Sequence, residues 1–237
     1  MKEQDMTLEY SSIDRQMGAI RTDVLAGRQI DEAFLREAQA FERLDLQKKV
    51  AAVMSAAPRI FQVEATSRCN LRCPLCSTHH LSRGYSEMRL ASFRKIMAEN
   101  PQAVYACLHL MGEPLMNPFL FDIIRYLKDR GVYTYFATNG MLLGDRAGDI
   151  LDSGLDKISV SLDGINQADL TRYRVGADLK RILSGIEALK AERRARGLNR
   201  PLIQIQTIMF SYNEGKEKEV IRFLKSLGVD RVKLKRP

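Results

Sequence analysis

Three of the chain's four cysteines lie within eight residues, in the stretch SRCNLRCPLCS at positions 67–77; the fourth, Cys107, stands alone. Cys69, Cys73 and Cys76 therefore follow a C-x3-C-x2-C spacing. Three chemistries can use it. Free cysteine is often a small buried residue, but these three share their stretch with Asn70, Arg72 and Pro74, which belong to a loop. A structural zinc ion could take them with His79 or His80 as fourth ligand, although zinc usually binds ligand pairs separated by a longer spacer. The third is a cuboidal iron–sulfur cluster, in which each iron normally takes one thiolate. A short loop can wrap three corners of such a cube. Its fourth iron then lacks a protein ligand, and an open metal position marks chemistry rather than structure.

Such a loop must be positioned, and the sequence after Pro58 supplies the elements. Short β-rich runs recur at 59–65, 103–110, 132–138, 157–162, 202–210 and 231–234. Helical patterns separate them at 86–99, 117–130, 144–153, 178–195 and 214–227, with Gly131 and Gly228 where a helix C-terminus favours glycine. Six strands alternating with helices imply parallel βαβ units with right-handed crossovers, an α/β fold. In such folds function collects at the C-terminal ends of the strands. The cysteines follow the first run, MGEP (111–114) the second, TNG (138–140) the third, SLDG (161–164) the fourth and SYN (211–213) the fifth.

On these residues the chain resembles the radical S-adenosylmethionine (radical SAM) superfamily, over about residues 58–237. The resemblance implies a partial (βα)6, TIM-like barrel of parallel strands. It implies one [4Fe–4S] cluster on Cys69, Cys73 and Cys76, and one S-adenosyl-L-methionine (SAM) across the rim. In that family the open iron holds the methionine end of SAM, and an electron from the cluster cleaves SAM to a 5′-deoxyadenosyl radical that abstracts hydrogen from substrate. LMGEP resembles the family's GGE motif, so that Gly112 and Glu113 serve the methionine amino group, with Met111 where glycine is commoner. A helix-end carboxylate is the alternative role for Glu113. By the same resemblance Ser161 contacts the ribose or carboxylate region, Arg174 approaches the carboxylate, and Asn139 faces the cofactor. A guanidinium suits a carboxylate because it can bind both oxygens. Asn-Gly is also a common turn, and Asp163 before Gly164 is expected to order one. Leu75 stands where the family often has an aromatic residue, and Cys107 reads as a small core residue of its strand.

The segments CNLRCPLC, MGEPLMNP, TNGMLL, SVSLDG and YRVGADLKRILSGI look most like the SPASM-type branch. Its enzymes modify ribosomally made peptides, protein side chains or sugars, and they usually carry a C-terminal extension with further cysteines. No cysteine follows Cys107 in these 237 residues, so that auxiliary-cluster region is absent from them. The expected partners are a peptide or small-molecule substrate and a one-electron reductant such as flavodoxin or ferredoxin. Within catalysis the competing reading is an enzyme that activates a glycyl-radical enzyme. Outside it, the competitor is a non-catalytic zinc or iron–sulfur module.

Residues 1–57 read as a helical extension, with Ile30, Phe34, Phe41, Leu44 and Val50 at roughly helical spacing before Pro58. The net charge of +8 is uneven: residues 1–58 hold 8 Lys/Arg against 10 Asp/Glu, leaving about +10 on the remainder. The basic clusters at 190–200 and 233–236 are read as solvated faces or as attractors of an anionic substrate or reductant, rather than as a nucleic-acid surface. No run of 18 apolar residues is present for a membrane span, and the polar N-terminus lacks a signal peptide's apolar core. A clustered set of thiols suits a reducing cytoplasm.

Overall fold

The computed structural model describes residues 58–236, and the helical extension expected over 1–57 lies outside them. Six strands form one sheet: β1 (Ile60–Gln62), β2 (Tyr105–Cys107), β3 (Tyr133–Thr138), β4 (Lys157–Ser161), β5 (Leu202–Ile208) and β6 (Arg231–Lys235). Every neighbouring pair is parallel, and the order across the sheet is the order in the chain. Between them run α1 (Leu90–Ala98), α2 (Leu120–Lys128), α3 (Ala147–Asp152), α4 (Gln167–Tyr173), α5 (Leu179–Ala195) and α6 (Glu217–Ser226). This is the expected α/β architecture of a partial, TIM-like (βα)6 barrel.

The strands alternate because their two faces meet different surroundings. Ala106, Phe136, Ile158, Val160, Ile203 and Ile205 are buried in one apolar core with helix residues such as Leu127, Ile150, Ile186 and Leu224. The alternate residues, turned away from the helices, are mostly polar. Gln204 Nε2 donates to Ser159 Oγ at 3.2 Å, His109 stacks edge-on against Tyr135, and Lys157 Nζ lies 4.9 Å from the centre of the Tyr135 ring.

The N-terminal ends of the strands are pinned by two aspartates. Asp156 accepts from Lys128 Nζ (2.6 Å), Thr134 N (2.8 Å) and Thr134 Oγ1 (3.1 Å). Asp230 takes both arms of the Arg193 guanidinium and the Ile203 N–H. The opposite rim is left to the loops.

The first two strands are shorter than the apolar runs 59–65 and 103–110 suggest. After Gln62 the chain leaves the sheet, and Thr66 pairs antiparallel with Glu87. That bridge also takes residues from the start of the expected helix at 86–99, so α1 begins at Leu90. Helix α4 lies outside the expected set; it begins at Gln167 behind the N-cap Asn166, whose side chain accepts from Asp169 N at 2.9 Å.

Candidate functional site

The cysteines ride on an excursion whose two feet are tied together. Ser67 N donates to Ser86 O (3.0 Å), Met88 N to Ala65 O (2.8 Å) and Ser86 N to Ser67 Oγ (2.8 Å). Buried Asn117 locks the same point, donating to Ala65 O at 2.6 Å and Met88 O at 3.0 Å. Within the loop, Leu71 plugs the core, and the Cys76 N–H closes a turn onto Cys73 O. His79 Nε2 donates to Leu71 O at 2.9 Å, because a carbonyl can only accept, so that nitrogen is committed to shaping the loop. Two outside contacts fix the loop on the rim: Arg72 N donates to Val175 O (2.9 Å), and Asn139 Nδ2 donates to Asn70 Oδ1 (2.7 Å).

Cys69, Cys73 and Cys76 are all free thiols. Cys69 and Cys73 line a cavity of about 680 Å³ with Asn70, Arg72, His79 and Tyr85 among its walls. Burial pushes the Cys69 and Cys73 thiols up, and each also feels Cys76 as a like charge; Arg174 pulls Cys73 partly back. Among the described residues no three His, Cys, Asp or Glu side chains converge on a single ion. Three soft donors gathered on one loop, yet held apart, suit the corners of an iron–sulfur cube.

The MGEP stretch passes directly beneath this loop. Gly112 has φ +71°, and a Cβ there would lie 2.2 Å from Thr66 O and 2.6 Å from Arg68 O. Only glycine allows that crossing. Met111, beside it, brings its Sδ to 3.8 Å from Thr78 Oγ1. Glu113 is wholly buried and accepts three hydrogen bonds: Oε1 from Leu115 N (3.1 Å) and Thr138 Oγ1 (2.7 Å), Oε2 from Asn139 N (2.7 Å). Burial pushes its carboxyl up, against these bonds and Arg174. Glu113 thus caps the short 3-10 turn Pro114–Met116 rather than the following helix α2, and it also welds the end of β2 to the end of β3.

Arg174 and Asp163 form a buried pair, Nε to Oδ2 at 2.7 Å. Asp163 Oδ1 accepts from Ile208 N at 2.7 Å, so this aspartate ties β4 to β5 and aims Arg174; it does not order its own turn. Gly164 permits the close approach of α4, since a Cβ there would meet Leu170 N at 2.3 Å. Ser161 faces the polar side of the sheet at the end of β4, and its hydroxyl has no hydrogen-bond partner among the described residues. Asn139 does two jobs: Oδ1 accepts from Met141 N (3.0 Å) as in an Asn-Gly turn, while Nδ2 backs the cysteine loop, 3.8 Å from Cys69 Sγ. Leu75 is 77% exposed, an apolar side chain beside Cys76. Cys107 is only partly buried and meets His109 Nδ1 at 3.2 Å on the polar face, so it is not the core residue its neighbours suggested.

Other contributors had no legible signal. Buried Thr78 joins the cysteine loop to MGEP: its Oγ1 lies 3.1 Å from Cys76 Sγ and accepts from Gly112 N at 3.3 Å. Tyr173, Phe210 and Tyr212 stack in series, with centroid spacings of 4.6 and 5.5 Å, beside Arg174. Nothing in their spacing sets them apart from core aromatics. Tyr173 and Phe210 meet only because α4 and the end of β5 converge.

Comparison with known proteins matches this arrangement to a family. The radical SAM superfamily pattern matches residues 63–199. The chain is 31% identical over 177 residues to the tungsten-containing aldehyde ferredoxin oxidoreductase cofactor-modifying protein of Pyrococcus furiosus, covering 71% of this chain and 48% of that protein. It is 25% identical over 194 residues to the PqqA peptide cyclase of Bradyrhizobium diazoefficiens, covering 81% and 49%. The chain thus spans about half the length of these curated relatives. Streptococcus suis SuiB, solved bound to S-adenosylmethionine, shares the fold with a TM-score of 0.62 at 14% identity, covering 95% of this chain and 51% of SuiB. The rim loop of three thiols and the family pattern that spans it coincide, and the chain belongs to the radical SAM superfamily, whose members use a [4Fe–4S] cluster and S-adenosylmethionine.

Proposed function

We propose that this chain is the core of a radical SAM enzyme that acts on a peptide, a protein side chain or a sugar-type small molecule. The observation that carries the reading is the loop of free thiols fastened directly to the Asn139 and Arg174 segments. In this reading Cys69, Cys73 and Cys76 hold the cluster. When bound, cluster and SAM together supply a one-electron cleavage that yields methionine and a 5′-deoxyadenosyl radical able to take a hydrogen atom from substrate.

The protein's own contribution is placement. Gly112 gives the backbone its close approach beneath the loop, and Glu113 holds that backbone and sets a negative charge near an ammonium. Asp163 occupies Arg174 Nε and leaves the terminal guanidinium nitrogens for a carboxylate. Ser161 offers a hydroxyl on the polar face. The motifs from CNLRCPLC to YRVGADLKRILSGI support the SPASM-type branch within the family, and the resemblance to a peptide cyclase supports a peptide among the candidate substrates. A low-potential one-electron donor such as flavodoxin or ferredoxin completes the set of partners, and the reducing cytoplasm is the compartment that suits these thiols.

The test is a product assay on anaerobically reconstituted protein. Reductant-dependent 5′-deoxyadenosine is expected, with loss in each of the Cys69→Ala, Cys73→Ala and Cys76→Ala variants and retention in Cys107→Ala. S-adenosylhomocysteine formed without reductant would instead indicate polar methyl transfer. Bound SAM with no 5′-deoxyadenosine, even from the natural full-length protein, would end the radical reading.

A further inference from the structure

The strands carry a charge pattern that the cofactor site does not use. Their sequences, IFQ, YAC, YTYFAT, KISVS, LIQIQTI and RVKLK, contain no aspartate or glutamate. They contain four cations, Lys157, Arg231, Lys233 and Lys235. Register puts all four on one face. Lys157 pairs with Tyr135, Arg231 with Gln204, Lys233 with Gln206 and Lys235 with Ile208, and Gln204 and Gln206 pair with Ser159 and Ser161. Parallel partners share a face, and the opposite face is the apolar one packed on the helices. The concave face of the barrel is therefore polar, positive and free of strand carboxylates.

Lys233 and Lys235 stand out on it. Neither ammonium has an ion-pair or hydrogen-bond partner among the described residues. Lys235 lies at the C-terminal end of β6, on the rim that carries the cysteine loop. Burial first, and then Lys235, hold the His109 pKa down, so the charge of Lys235 reaches β2 across the concave face. Burial and Lys233 lower the pKa of Lys235 in turn, while Asp163 raises it. Asp163 is already matched by the Arg174 guanidinium, so it offsets the two lysine charges only in part. Two like charges on a half-enclosed face, flanked by Ser161 and Gln206, concentrate anions and repel cations.

We propose that Lys233 and Lys235 anchor an anionic group of the substrate, a carboxylate or a phosphate, on the concave face at the β6 end of the sheet. Its placement beside SAM rests on the radical SAM reading; the cationic face itself does not. The anchor sits at the opposite end of the strand order from the cysteine loop.

The experiment uses the natural full-length protein, reconstituted anaerobically and loaded with SAM. Inorganic phosphate and acetate are titrated separately while the His109 imidazole resonances are followed. A saturable shift with at least one anion is expected, weakened at least tenfold in Lys233→Gln/Lys235→Gln and unchanged in Lys218→Gln/Lys225→Gln on exposed α6. Lys235→Gln alone, at the more exposed of the two positions, serves if the double variant does not fold, with at least a threefold loss expected. Tighter phosphate than acetate points to a phosphate ester, and the reverse to a carboxylate. The anchor is refuted by the absence of a saturable shift, by equal binding in the lysine variants, or by a tenfold loss of SAM affinity with anion binding intact, which would assign the lysines to the cofactor. A protein that takes up no four-iron cluster yet shows the lysine-dependent shift sinks the radical reading and leaves the anchor standing.

Discussion

At the scale of single residues, Glu113 shows how a family motif can hide its physical job. Its three donors are two backbone N–H groups and the Thr138 hydroxyl, and an ionised carboxylate, which only accepts, can satisfy all three. Glutamine cannot, because its NH2 would face one of those donors inside a fully buried site. Glu113→Gln is therefore expected to lose about 1–3 kcal/mol of stability as well as SAM affinity. Urea denaturation of the apo protein measures the first quantity, and a residue that only contacted SAM would leave it unchanged. The sequence marked this residue through its motif, and Cys69, Cys73 and Cys76 through their spacing. It did not mark Thr78 or the Tyr173–Phe210 stack, and it gave Asp163 the wrong job, because the partners Gly112, Phe210 and Ile208 lie 34 to 45 residues away and meet them only in the fold.

At the scale of elements, short β-rich runs set between helical patterns made all six strands legible. The ends of β1 and β2 were not, because the Thr66–Glu87 bridge competes for residues whose local pattern is still strand-like. The apolar neighbours Ala106 and Leu108 also hid the second use of β2. Its polar face ends in His109, whose Nδ1 accepts the Ala137 N–H of β3 at 3.0 Å. Cys107 of the same strand, Tyr135 of β3, Lys157 over that ring and Lys235 of β6 complete its surroundings. Burial and Lys235 bring its pKa to about 4 from 6.5. The unfolded chain thus takes up a proton near pH 6.5 while the fold refuses it until about 4. Within that window the unfolded state binds more protons, so stability falls as pH falls. The apo protein is expected to lose about 2 kcal/mol between pH 7 and pH 5 from this group. Urea midpoints at the two pH values check it, and His109→Gln should remove that part of the slope. An undiminished slope in the variant would place its origin elsewhere.

At the scale of the whole molecule, the site and the core are separate constructions. The core lies between the apolar face of the sheet and the helices, and the cysteine loop reaches it mainly through Leu71 and Cys73. The triple variant Cys69→Ala/Cys73→Ala/Cys76→Ala is expected to unfold cooperatively, with a Tm within about 5 °C of the apo wild type, a shift on the order of 1 kcal/mol for a chain of this size. Calorimetry of both apo proteins tests this, and a non-cooperative variant would mean that the loop nucleates the fold.

The sheet also keeps the order of the chain, and that gives the site a birth order. The three thiols emerge from the ribosome before the groups that will hold them: Asn139 follows Cys69 by 70 residues, and Arg174 follows Cys76 by 98. At roughly 5–20 residues per second, the loop waits about 5–20 s for its last neighbour. Throughout that interval the thiols are open to oxidants and to stray soft metals. How much protein can become competent is thus decided partly during translation, by the redox state that greets each new chain.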